Sequence, residues 1–108
     1  MSEKHYNKLI RDNIPDIIKN AGKEPHVYVA DSKEYHERLL EKLHEEITEY
    51  KESQNPEELA DIMEVIEALT AYHGVDPKTF MSLKDTKKTK NGGFEKRLVL
   101  TKVTDNEG

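Results

Sequence analysis

Hydrophobic residues recur at helical spacing along two long stretches of the chain, and the stretches meet at Asn55-Pro56. Wound at about 100° per residue, the stretch from Asp31 to Ser53 gathers Tyr35, Leu39, Leu40, Leu43, Ile47 and Tyr50 on one face. The stretch from Pro56 to His73 gathers Leu59, Ile62, Met63, Val65, Ile66 and Leu69. Start and stop signals bracket both. Asp31 or Ser32 can cap the first helix, with Glu34 three residues after Asp31 as in a capping box. Asn55 at the cap and Pro56 at the first helical position open the second, and Gly74 can end it. A short helix is predicted over 14 to 21, with Pro15 near its start and Gly22 as its stop. Asp76-Pro77 repeats the cap-and-proline signal and predicts a fourth helix over about 77 to 86 that buries Phe80 and Leu83.

Two segments read as strands instead. His26-Val-Tyr-Val-Ala30 is β-branched and aromatic between Pro25 and Asp31, and Leu98-Val-Leu-Thr-Lys-Val103 alternates weakly. A lone strand leaves its backbone groups unpaired, so the two are expected to pair with each other. Residues 87 to 93 read as a basic flexible loop, and residues 1 to 5 and 104 to 108 as loose polar tails. The expectation is a mainly α fold with a minor two-stranded sheet (26–30 with 98–103), in one domain spanning 1 to 108.

Composition narrows the partners. Charged residues (36%) outnumber hydrophobic ones (34%), so a monomer would have a small core and self-association would help it. The net charge of −5 argues against a nucleic acid polymer as partner, because phosphate backbones call for a basic surface. With no cysteine, disulfides and thiolate metal sites are excluded. No apolar run approaches the roughly 20 residues of a membrane span, and the N-terminal stretch lacks the apolar centre of a signal peptide. A cytoplasmic protein without membrane contact is expected.

The two long helices each carry a carboxylate pair spaced i, i+3: Glu46 with Glu49, and Glu58 with Asp61. Glu46 and Glu58 fall inside the apolar faces, and Glu49 and Asp61 flank them. Burying an uncompensated carboxylate is costly. The same costly placement on two adjacent helices points to a cation between them. An all-oxygen donor set suits Mg²⁺, with Mn²⁺ as substitute, rather than zinc or copper. Mg²⁺ commonly binds substrate phosphates too, which makes a phosphate ester or anhydride the natural ligand. There is a plainer reading. Acidic residues are so frequent that Glu34 with Glu37 and Glu64 with Glu67 share the spacing, and Glu57 and Glu58 favour a helix N-terminus by themselves.

Basic residues are concentrated elsewhere. Lys84, Lys87, Lys88, Lys90, Lys96 and Arg97 surround Gly92-Gly93, where backbone can approach a ligand closely. They could cradle a triphosphate, or simply be a solvated loop. Lys8 and Arg11 form a second, weaker cluster, either phosphate contacts or ion-pair partners for Asp12 and Asp16. The five histidines show no ligand spacing, and His36 and His73 read as core residues of their helices.

Glu45-Glu46-Ile-Thr-Glu49 followed by Glu58-Leu-Ala-Asp61 resembles the EExxE…ExxD signature of the MazG-like, all-α nucleoside triphosphate pyrophosphohydrolases. Tyr6-Asn-Lys-Leu-Ile-Arg-Asp-Asn-Ile-Pro15 and Gly92-Gly-Phe-Glu-Lys-Arg97 resemble the ends of small proteins described as phosphoribosyl-ATP pyrophosphohydrolase-like. The resemblance covers about residues 6 to 103. It implies a helical bundle of the all-α NTP pyrophosphatase type, assembled as a homodimer or homotetramer. It implies cleavage of a nucleotide between its α and β phosphates, giving a monophosphate and pyrophosphate. Mg²⁺ would be held by Glu46, Glu49, Glu58 and Asp61, with Glu49, and secondarily Glu45, as catalytic carboxylates. Lys8, Arg11, Lys87, Lys88, Lys90 and Arg97 would bind the substrate phosphates.

Two departures bear on activity. Only eight residues separate Glu49 from Glu58, fewer than the signature usually has. Asn91 stands before Gly-Gly-Phe where the resemblance leads one to expect Arg, which would remove a phosphate contact or shift it to Lys90. A relative that binds a nucleotide or nucleotide-derived signal without cleaving it is therefore the rival expectation. A purely structural helical oligomer is a third.

Overall fold

The computed structural model describes residues 2 to 105 and contains four helices: α1 (Ile14–Asn20), α2 (Ser32–Ser53), α3 (Glu57–Tyr72) and α4 (Pro77–Asn91). The expected tails extend at Met1 and at 106 to 108 beyond the described residues. None of the described helices is long and apolar enough to cross a membrane. The chain forms two compact units, one ending at Val75 and one beginning at Asp76.

In the first unit, α2 and α3 pack against each other and form its centre. The Asp31 side chain caps α2 by accepting from the Glu34 backbone N–H at 2.8 Å. Glu34 does not close the expected box. Its carboxylate is taken by Arg38 at 3.2 Å and by the Tyr28 hydroxyl at 2.5 Å. Gln54 ends α2 in the left-handed region, at φ 57°. Asn55 then accepts from the Glu57 N–H at 3.0 Å, so the chain turns into α3 within three residues. Gly74, at φ 74°, ends α3 by donating to the Ala71 carbonyl at 2.9 Å, a turn that favours a residue without Cβ.

The buried core is small. Leu39 is 2% exposed and Val65 is also buried, while Leu40, Ile47, Leu59 and Met63 from the same two helices remain 41–49% exposed. Tyr35, Leu43 and Tyr50 are half-buried. His36 and His73 join an aromatic cluster where α2 begins and α3 ends. The His36 ring stacks on Tyr72 at 4.6 Å between centroids, and His73 meets both edge-on.

The expected two-stranded sheet is absent among the described residues. Residues 26 to 30 and 98 to 103 belong to no helix or strand, and no ladder joins them. Val29 is 96% exposed and Leu98 85% exposed. The β-propensity of these segments is real, but a strand exists only where a partner offers its backbone. Residues 26 to 30 are instead tied to α2 through Tyr28 and Glu34.

In the second unit, Asp76 caps α4 by accepting from the Thr79 N–H at 2.8 Å. This bond holds the Asp76 carboxyl below its ordinary pKa. The helix runs on to Asn91, so most of the basic stretch expected as a loop is helical. Lysine is a good helix former, and nothing before Gly92 breaks the pattern. Lys88 and Lys90 in the last turn also suit the negative end of the helix dipole. Phe80 is half-buried, but Leu83 is 53% exposed rather than buried, consistent with the poorly segregated sequence of this helix.

Candidate metal centre

The short turn at 54 to 56 folds α3 back along α2 and brings the carboxylates of the two helices together. Glu46, Glu58 and Asp61 can each offer an oxygen with all three atoms within 4.8 Å of one another. Glu45, Glu46 and Glu49 do the same along α2. Glu46 belongs to both sets and is the only buried polar or charged side chain among the described residues, at 6% exposure. Glu45, Glu58 and Asp61 are half-buried, and Glu49 is exposed.

Burial, followed by the neighbouring Glu49 charge, pushes the Glu46 carboxyl above the ordinary carboxylate range. Burial also raises Glu58, with further contributions from Asp61 and Glu46. Such a cluster resists full ionisation unless positive charge is supplied. Part of that charge comes from Lys42, whose ammonium lies 3.4 Å from Glu46 Oε1 and 3.6 Å from Glu45 Oε1. Lys42 was not singled out in the sequence, although its i, i+3 and i, i+4 spacing to these glutamates was there to be read.

The N-terminal segment supplies the rest. Arg11 Nη2 lies 2.7 Å from Asp61 Oδ1, and Lys8 Nζ lies 3.2 Å from Glu45 Oε1. The alternative partners Asp12 and Asp16 are not the ones these side chains take. Segment and helices enclose a cleft of ≈ 570 Å³ bordered by Ile10, Arg11, Leu39, Glu46, Asp61 and Val65.

One atom remains unaccounted for. Glu46 Oε2 is buried and has no hydrogen-bond partner among the described residues. A buried carboxylate oxygen without a partner carries its full desolvation cost. The donor set that Glu46 joins is all oxygen, drawn from two helices, and suits a hard divalent cation. These residues could therefore hold a metal ion.

The other predicted phosphate contacts belong to the second unit. Lys87, Lys88 and Lys90 stand on the last turns of α4, and Arg97 follows with a left-handed φ of 59°. All four are exposed. Asn91 is the last residue of α4, directly before the glycine pair.

No family model, curated protein or solved structure matches the chain.

Proposed function

We propose that the protein is a Mg²⁺-dependent nucleotide pyrophosphohydrolase that cleaves a nucleoside triphosphate, or a related nucleotide, between its α and β phosphates. The observation that carries this reading is the unpartnered buried oxygen of Glu46, the residue that both carboxylate sets share. The MazG-like signature over Glu45 to Asp61 supplies the reaction class.

Glu46, Glu49, Glu58 and Asp61 would hold the cation. When bound, it would neutralise charge on the phosphate oxygens and polarise the α-phosphorus toward attack. Glu49 is exposed beside the buried Glu46, so it can meet solvent and the ligand together. It would accept the proton of a water whose oxygen attacks the α-phosphorus. The α–β anhydride bond breaks, its electron pair leaves on pyrophosphate, and the proton passes to solvent. Glu45, which also pairs with Lys42 from within α2, would orient this side of the site rather than act as the base. Lys8 and Arg11, which pair with Glu45 and Asp61, would be the cations of the first unit that meet the phosphate oxygens.

A cytoplasmic homodimer or homotetramer completes the proposal. The half-exposed Leu40, Ile47, Leu59 and Met63 support self-association through α2 and α3. The test is pyrophosphate release from a nucleotide panel with Mg²⁺. Glu46→Ala and Asp61→Ala should each lower turnover by about a hundredfold or more. Unchanged turnover in both would refute the site, and tight nucleotide binding without any product would select a non-catalytic binder.

A further inference from the structure

We propose that Lys8 and Arg11 are displaceable counter-ions of the carboxylate cluster. They hold its outer acids until a divalent cation binds, and then turn to the phosphates of the incoming nucleotide. This rests on the reading of the cluster as a cation site.

The pairing is divided between the two carboxylate sets. Lys8 holds Glu45, in the set with Glu46 and Glu49, and Arg11 holds Asp61, in the set with Glu46 and Glu58. Both cations come from the segment before α1, which has no helix or strand of its own. Their partners lie 37 and 50 residues away in sequence, so local geometry does not impose either pair. Both pairs are about half exposed, where ion pairs are weak and readily exchanged. While paired with Glu45, the Lys8 ammonium also lies 5.8 Å from the centre of the Tyr6 ring.

Charge makes the exchange balanced. A divalent cation brings two positive charges, the same number that Lys8 and Arg11 withdraw. Like charges on the same carboxylates repel, so binding one set loosens the other. Neither side chain satisfies the buried Glu46 oxygen, which stays open to a cation whatever the outer pairs do. Lys42 keeps its hold on Glu46 Oε1 from within α2 and takes no part in the exchange. Once freed, the Arg11 guanidinium stays at the edge of the cleft, where its planar fork suits a phosphate.

An alternative role gives the opposite sign. If Arg11 were a fixed orienting group for Asp61, removing it would weaken cation binding. The experiment is a Mg²⁺ titration of the full chain, following arginine side-chain N–H signals by NMR, with Mn²⁺ binding measured in parallel by electron paramagnetic resonance. Restricted rotation of the Arg11 guanidinium should be lost as Mg²⁺ saturates and return when inorganic pyrophosphate is added. Arg11→Gln and Lys8→Gln should each bind Mn²⁺ about two- to fivefold tighter than the wild type. Saturation with Arg11 unmoved, or weaker Mn²⁺ binding by Arg11→Gln, would overturn the exchange while leaving the cation site intact. A wild type that takes up no Mn²⁺ would overturn both.

Discussion

Glu46 and Lys42 stand one turn apart on α2 with 3.4 Å between Oε1 and Nζ, yet the second oxygen of Glu46 has no partner among the described residues. The lysine lies on the N-terminal side of the glutamate, the weaker order for a helical pair. It compensates half of the carboxylate and leaves the other half to be satisfied by something else.

Removing that charge should stabilise the ion-free protein. Glu46→Gln keeps the shape and discards a buried, half-compensated anion. It is expected to gain about 1 kcal/mol, or about 4 °C in Tm. The same variant should lose the stabilisation that Mg²⁺ gives the wild type. Thermal melts of both proteins with and without Mg²⁺ measure this, and a destabilised ion-free variant would contradict it.

The pH dependence follows from the raised Glu46 and Glu58 carboxyls. A group whose folded pKa lies above its unfolded value contributes stability below the unfolded value and loses it as pH rises through the folded one. The contribution of these two groups should therefore decline as pH rises above about 4.5. Mg²⁺ should offset that decline near neutral pH and have little effect on Tm near pH 4.5, where protons occupy the site. Melts across this range give the answer, and an equal Mg²⁺ shift at both ends would count against it.

Leu39 is the most buried side chain described, at 2% exposure, in a core with little else in it. Leu39→Ala should cost about 3 kcal/mol. Denaturant unfolding of the variant should show most of the stability of so small a core gone.

The half-exposed apolar residues of α2 and α3 should be covered in solution by a second copy. Leu40 and Ile47 lie two turns apart on α2, and Leu59 and Met63 one turn apart on α3. Sedimentation should find a dimer or tetramer, and Leu40→Glu with Ile47→Glu should shift it toward monomer. A monomeric wild type would leave these side chains unexplained.

The helices were legible because their signals are local. The Asp31 and Asp76 caps and the glycine stop at 74 act within a few residues, and each appears where the pattern placed it, whereas Asn55 turns the chain one residue before the N-cap, which is Pro56. The end of α4 is less legible, because the five polar residues 87 to 91 read as a loop although only Gly92 breaks the helix. The sheet failed because pairing is non-local, and β-branched residues at 26 to 30 cannot specify a partner. Within the site, helical phase was enough to place Glu46 inward and Glu49 at the edge. The partners of Lys8 and Arg11 were not legible, since nothing near either residue encodes an approach to Glu45 or Asp61.

The central claim is that four carboxylates from two helices act as one cation site around Glu46. Mn²⁺ titration followed by electron paramagnetic resonance tests it most directly, comparing the wild type with Glu46→Gln and Asp61→Asn. Saturable binding by the wild type, at least tenfold weaker in each variant, is the predicted result at roughly 1.4 kcal/mol per lost ligand. Equal Mn²⁺ binding by all three proteins, or none by the wild type, would contradict it.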